Sequence, residues 1–536
     1  MKLRLAPLAL WLGAGLACAS AHATANSLPD PVSAALKRAH IPPSHVGVVV
    51  QQVDAPGPLI ALNGGQPMNP ASTMKLLTTF AGLETLGPAY RWKTEAYLNG
   101  KLENGVLQGD LVFKGYGDPK LTVEQFWMWL RELRQRGLRE IRGDIVLDHG
   151  FFEDATQAAD FDSEPNRAYN VGTNALLLNF NAVHLHLVPN GSTAIALLDP
   201  DMEGYTLQNN LTTSTRLRCR AADAYTIRLD GRVIKLDGRI PANCGEQDDY
   251  FSLLPHDEYF FAVFGALWRE LGGSIQGKLR TGTAPVAAAP FATYVSPQLS
   301  EIIRDINKFS NNIMARQLFL TLGTANTSMV AVSPVPAMPG DATPGDASPG
   351  DANPGDLDRS GDQSDSDASG AQADAAPAPA EPAPVPAAPP PGAPSRASIA
   401  RSVAKMRQWL QTHQLQFPEL VLENGSGLSR KERISALHLA SLLQQATHSP
   451  FSAELEASLP ILGMDGTVKK RFKDSDLAGH AHLKTGTLDG VKAMAGYVDA
   501  PSGKKWIVVF IINHPNAARG QAAQDALIRW VQMRNP

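Results

Sequence analysis

At 536 residues this chain is longer than one hydrophobic core organises, so it divides into roughly two to four units. Its hydrophobic content of 43% supports folded domains, and past the N-terminus no apolar run reaches the ~18 residues that a membrane span needs. The formal net charge is −4, and ten acidic side chains against two arginines within 327–397 leave the rest of the chain near neutral, without the basic field that a nucleic-acid partner would require.

The first 25 residues, "MKLRLAPLALWLGAGLACASAHATA", place Lys2 and Arg4 ahead of an apolar stretch and end on a small-x-small site. That is the pattern of an export signal removed on secretion, which puts the mature chain in the periplasm. Cys18 is disfavoured as a lipid-bearing start because "GLAC" lacks the usual leucine three positions earlier. Next, "HVGVVVQQVD" (45–54) reads as a strand, and "NPASTMKLLTTF" (69–80) as a turn leading into an apolar helix. The region 93–289 alternates short strands such as "GVLQGDLVFKG", "HLHLVP" and "YTIRLDGRVIKLDGRI", which predicts inserted β-rich domains, two and nested.

Loss of the signal leaves two cysteines, Cys219 and Cys244, in an oxidising compartment, where one disulfide is expected. His184 and His186 share a strand pattern. Alternating strand histidines are more often surface or core residues than ligands, and no Cys/His spacing of metal type occurs, so neither a metal nor a cofactor is expected.

"LSEIIRDINKFSNNIMARQLFLTLG" (299–323) predicts two short helices meeting near Phe309-Ser310. Residues 327–397 then repeat "PGDATPGDASPGD", pass through a Ser/Asp/Gly stretch and end in "APAPAEPAPVPAAPPPGAP". Such a composition cannot bury enough apolar surface to offset its ordering entropy, so a disordered insertion within one domain is expected. Helical periodicity resumes at "ASIARSVAKMRQWLQTH". "AMAGYVDA" and "KKWIVVFIIN" (493–513) pair around Pro501-Ser502-Gly503, and "QDALIRWVQM" closes the chain as a helix. Strands at both ends with helices between predict one α/β domain assembled from 26–92 and 290–536, interrupted by 93–289.

The chemistry concentrates in three motifs. In Ser72-x-x-Lys75, helical spacing sets the two side chains on one face about 5–6 Å apart at Cβ. A serine hydroxyl is a weak nucleophile that needs a nearby base, and a lysine serves once burial and a second cation lower its pKa. Ser310-Asn311-Asn312 falls where two helices meet, and Lys484-Thr485-Gly486-Thr487 falls just before the closing strand pair. One motif alone is weak. The ordered set S-x-x-K, S-x-N and K-T-G is the signature of penicillin-recognising serine hydrolases, which the chain resembles.

The long gaps between positions 72, 310 and 484, with a β-rich insert in the first, narrow this resemblance. It points to the class C low-molecular-mass penicillin-binding proteins, the DacB-type D-Ala-D-Ala carboxypeptidase/endopeptidases of peptidase family S13. "ENGVLQGDLVFKGYGDPKL", "ENGSGLSRKERIS", "LPILGMDGTVKKRF" and "HLKTGTLDGVKAMAGYV" agree with it. The resemblance implies a penicillin-binding/β-lactamase-like transpeptidase domain acting on peptidoglycan stem peptides, with β-lactams as inhibitors. It implies Ser72 as nucleophile, Lys75 as base, Ser310 as relay of a proton to the leaving amine, Lys484 as holder of the shared charge network, and Asn312 on the substrate amide. The Ser72 and Thr487 N–H groups would form the oxyanion hole, and the Thr485 and Thr487 hydroxyls would meet the terminal carboxylate. Arg430 would take the outer carboxylate of a diaminopimelate side chain, with Asp162 or Glu164 at its amino end. A serine β-lactamase and a non-catalytic peptidoglycan-binding scaffold are the competing readings. The first lacks a placed Glu for fast deacylation, and the second is disfavoured by three intact motifs. Weak wall or membrane association is the remaining partner expectation.

Overall fold

A computed structural model describes residues 27–153, 162, 164–219, 225–324 and 396–534. The export signal expected over 1–25, and all but the last two residues of the insertion expected over 327–397, lie outside the described residues.

The runs "VGVVV" and "WIVVFII" are apolar at every position because their sheet is covered on both faces. That sheet is five-stranded and antiparallel, in the order Ala481–Leu488, Val491–Asp499, Lys505–Asn513, Val46–Gln52, Ile60–Leu62. The pleat sorts its side chains by parity. Val48, Val50, Met494, Val508 and Phe510 meet Val32, Leu36, Leu527 and Ile528 of the terminal helices Asp30–Arg38 and Gln521–Gln532. Val49, Ala493, Ala495, Val509 and Ile511 turn the other way, onto Leu76, Phe80, Leu318, Phe319 and Leu439 of helices Lys75–Leu86, Asn312–Leu322 and Ala436–Thr447. The protein is thus an α/β fold whose central sheet joins the two ends of the chain.

K-T-G precedes the strand pair Val491–Asp499 and Lys505–Asn513, as expected, but it also lies within a further edge strand, Ala481–Leu488, paired with Val491–Asp499 from Ala481↔Val498 to Leu488↔Val491. Its isolated polar residues hide a strand that only its partner completes.

The segment between these ends builds two more sheets. One is seven-stranded, led by the hairpin Lys93–Glu103 and Val106–Gly115. The other is six-stranded and runs from Tyr225–Asp230 to Gln247–Phe251. Helices Val123–Gln135 and His256–Glu270, which the strand-dominated reading of this region did not anticipate, supply Phe126, Trp129, Phe260 and Phe264 to a core shared by both sheets and centred on Phe113. Cys219 and Cys244 form a disulfide with Cα atoms 5.4 Å apart. The described part of 162–175 leaves this region and lies on helix Asn312–Leu322: Arg316 Nη1 donates to the Val171 carbonyl at 3.0 Å and Gln317 Nε2 to that of Asn174 at 2.8 Å.

Candidate active site

Ser72 sits on a tight 3-10 turn, Ala71–Met74, immediately before helix Lys75–Leu86. Ala71 takes φ +45°, a left-handed conformation costing an alanine about 1–2 kcal/mol. Asn69 holds that elbow. Its Oδ1 accepts the Ala71 N–H at 2.9 Å, its Nδ2 donates to the Ser429 carbonyl at 2.8 Å, and its own N–H donates to Asn513 Oδ1 at 2.7 Å. The Ser72 turn is therefore tied to the end of a central strand.

Two glycines let the neighbouring chain come close. A Cβ at Gly486 would stand 2.8 Å from the Pro70 oxygen and 2.9 Å from Ser72 N, so only glycine lets the K-T-G strand pass against the turn. Gly427, at φ +80°, brings the 424–429 loop onto the Ala71 carbonyl from the other side.

Lys75 is fully buried and donates to three oxygens: Ser72 Oγ at 2.9 Å, Asn312 Oδ1 at 2.7 Å and the Ser426 carbonyl at 2.5 Å. Burial, then the positive charges of Lys484 and Arg316, push its pKa well below the usual lysine value, while Glu432 opposes them. Burial is the larger cause, ahead of the second lysine that the sequence singled out. Lys484, also fully buried, donates to Ser310 Oγ at 2.8 Å and to the Thr485 carbonyl at 3.0 Å, and burial brings its pKa down to about 7. The Lys484 amine is thereby within reach of the neutral form near pH 7, and Lys75 gives up its proton more readily than a free lysine.

Asn311 caps helix Asn312–Leu322, its side chain accepting the Met314 N–H at 3.1 Å, so it is occupied with its own backbone. Asn312 bridges Lys75 and the Tyr169 carbonyl, to which Nδ2 donates at 3.4 Å.

One cavity of 540 Å³ gathers these groups. Ser72, Ser310, Asn312, Thr485, Thr487 and Arg430 line it. The six share a single surface even though they come from the chain start, the helix junction, the 424–430 loop and the edge strand. Arg430 lies at the rim, donating to the Asp489 carbonyl at 2.8 Å, and Asp162 faces the same space. Asp162 accepts hydrogen bonds from the Glu164 N–H, the Tyr169 hydroxyl and Asn170 Nδ2 at 3.0, 2.9 and 2.8 Å, and Glu164 pairs with Arg167. Of the two acids, Asp162 is the one that lines the cavity.

The profile of the D-Ala-D-Ala carboxypeptidase 3 (S13) family matches residues 28–333 and 393–534. The chain belongs to the S13 family. It is 28% identical over 549 residues to a D-alanyl-D-alanine carboxypeptidase of Actinomadura sp. (strain R39), covering 96% of this chain and 86% of that protein. It is 25% identical over 494 residues to the D-alanyl-D-alanine carboxypeptidase DacB of Haemophilus influenzae, covering 88% and 85%. The crystal structure of penicillin binding protein 4 (dacB) from Haemophilus influenzae superimposes with a TM-score of 0.69 at 21% identity, over 95% of this chain and all of that one.

Within this S13 site, several groups escaped the motif reading. Thr467 accepts the Thr485 hydroxyl at 2.7 Å and lines the cavity. Glu432, fully buried, accepts the N–H groups of Glu423, Asn424 and Gly425 on Oε1 at 3.1, 2.9 and 2.9 Å, and so shapes the loop whose Ser426 carbonyl receives Lys75. Arg316 is buried nearby, and its Nε and Nη2 have no hydrogen-bond partner among the described residues. "GSGLSRKE" contains Glu432 in plain sight, but nothing local distinguishes it from a solvated acid; its role exists only once the loop is closed.

Proposed function

We propose that Ser72 attacks the carbonyl of a D-Ala-D-Ala terminus, or of the equivalent cross-link, while neutral Lys75 takes its proton. This is the step that makes an S13 enzyme a serine DD-peptidase acting on peptidoglycan, the class to which this hydrolase belongs. The N–H groups of Ser72 and Thr487 hold the oxyanion, and the Thr485 and Thr487 hydroxyls hold the terminal carboxylate. Ser310, hydrogen-bonded to Lys484, passes a proton to the departing amine. Water then hydrolyses the acyl-enzyme. Arg430 and Asp162 offer opposite charges at one rim, matching a stem-peptide side chain that ends in a carboxylate and an amine. Export to the periplasm and acylation by β-lactams complete the proposal.

The observation that carries it is the contact of the Lys75 amine with Ser72 Oγ at 2.9 Å, with both lysine pKa values driven down. A β-lactamase of the class A type would need a carboxylate placed to drive water onto the acyl group. Glu432 is instead fully buried with its Oε1 spent on backbone amides.

Intact-mass spectrometry after exposure to penicillin tests the proposal. One adduct, on the peptide carrying Ser72, should persist for many minutes and be absent from Ser72→Ala. An adduct elsewhere would reassign the nucleophile, and rapid loss of the adduct would favour the lactamase.

A further inference from the structure

The outer face of the six-stranded sheet carries a side-chain cluster that peptide hydrolysis does not use. Strand Val183–Asn190 turns Val183, Leu185 and Leu187 into the core, which forces His184 and His186 outward together. Strand Gln247–Phe251 pairs beside it, with Asp248 opposite His186 and Tyr250 opposite His184. Asp248 Oδ1 lies 2.8 Å from His184 Nε2 and 2.8 Å from His186 Nδ1.

We propose that His184, His186 and Asp248 form a binding site for a borderline divalent transition-metal ion, zinc in the first instance. The three ligand atoms all lie within 4.8 Å of one another, which lets one ion at ~2.0–2.2 Å from each replace the hydrogen bonds that now join them. Two imidazoles and a carboxylate suit zinc, copper or nickel, whereas calcium and magnesium require more oxygen donors than this face offers. Three protein ligands leave a fourth, tetrahedral position for water.

The surroundings hold the ligands in place. The Tyr250 ring stacks on His184 at 4.8 Å between centroids and 20° between planes. Glu246 Oε2 stands 3.9 Å from His186 Nε2, the nitrogen that would not face the ion; this is an ion-pair distance rather than a hydrogen bond, and a turn of the exposed carboxylate would let it accept from a metal-bound imidazole. The Cys219–Cys244 disulfide pins the chain just before Glu246. A second cluster, Glu456, His482 and Asp499, has comparable spacing but already holds a cation. Lys505 Nζ lies 2.6 and 2.7 Å from the Glu456 oxygens and 3.8 Å from Asp499. Among the described residues the ion-pair partners of Asp248 are the two histidines.

The ion would clamp strand 183–190 to strand 247–251. Asp249, next in the chain, grips Arg167 at 3.1 and 2.9 Å, and Arg167 in turn holds Glu164, whose N–H donates at 3.0 Å to the cavity-lining Asp162.

Titration of the untagged mature chain with Zn²⁺, read by calorimetry and by thermal melting, tests the site. One saturable equivalent should bind and raise Tm, EDTA should reverse both, and Mg²⁺ and Ca²⁺ should do neither. His184→Gln/His186→Gln should lose the binding and the Tm rise, Glu246→Gln should weaken binding by roughly tenfold, and His482→Gln should leave it intact. Penicillin labelling of the double variant at the normal rate establishes that it is folded. No saturable binding to the natural chain, or undiminished binding to the folded double variant, overturns the proposal.

Discussion

Lys484 Nζ donates to Ser310 Oγ across 2.8 Å from a position with no solvent exposure. Its pKa of about 7, against 10.5 for a free lysine, has a consequence for stability. Between pH 7 and 10.5 the unfolded chain holds a proton that the folded chain has released, so this group's contribution improves as pH rises through that window and its cost is full below it. Lys484→Met should therefore raise Tm at pH 7, with an upper limit of about 5 kcal/mol before the lost hydrogen bonds are subtracted, and the gain should shrink toward pH 10.5. Penicillin acylation should meanwhile fall by orders of magnitude. Paired melts at pH 7 and pH 10 decide the matter, and a lower Tm for the variant at pH 7 would contradict it.

Lys75 is held far below the usual lysine pKa, so acylation by penicillin should climb with pH and level off well before pH 10.5. Lys75→Arg keeps the charge but cannot give up its proton, and it should acylate about 10²–10⁴-fold more slowly. Glu432 is the one named influence that raises the Lys75 pKa. Glu432→Gln keeps an oxygen for the three backbone N–H groups while removing that charge, so the rising limb should move to lower pH. A rate profile that shifts upward, or stays fixed, would refute this role.

The three motifs were legible in the sequence because the roles proposed for them, nucleophile, base and relay, each demand a residue type that few others replace. The apolar runs of the central sheet were legible because both of its faces are buried. Helix Val123–Gln135 was not: "VEQFWMWLRELRQ" lies among strand patterns, and its aromatic residues also suit strands. Arg316 and Glu432 were invisible for a different reason. A buried charge looks like a surface charge until the chain folds over it, and their partners lie on distant segments.

Gly486 has no room for a side chain against Pro70 and Ser72. Gly486→Ala should push the edge strand away from the nucleophile turn while leaving the core of the sheet intact. A displacement of about 1 Å between Ser72 and Thr487 should cost up to about 10²-fold in acylation rate. Stopped-flow kinetics with a chromogenic cephalosporin, beside an unchanged circular dichroism spectrum, would show this. Normal kinetics would mean that the strand does not help form the oxyanion site.

The Cys219–Cys244 bridge closes a loop of sequence separation 25 in the six-stranded sheet. Cross-links of this span stabilise by about 3 kcal/mol. Replacing both cysteines by alanine should lower Tm by several degrees yet leave the penicillin adduct on Ser72, since none of the cavity-lining motif residues belongs to that sheet. Loss of labelling at a temperature where the variant remains folded would show the two regions to be coupled.

Helix Asn312–Leu322 ends where helix Ile399–Thr412 begins. A Cβ at Gly323 would run into Ser402 Oγ and stand 3.1 Å from the Ser398 oxygen, so the chain on either side of residues 325–395 is already in contact. A short flexible linker can span that distance, because closing a loop of a few residues costs no more than closing a long one. Replacing 330–395 by a Gly/Ser linker should therefore preserve Tm and the acylation rate, and remove an acidic segment whose net charge exceeds that of the whole chain. Equal activity on soluble D-Ala-D-Ala peptides and on isolated peptidoglycan would assign the segment a passive part. Retained activity on the peptides with loss on the polymer would show instead that the acidic segment helps the enzyme engage the wall.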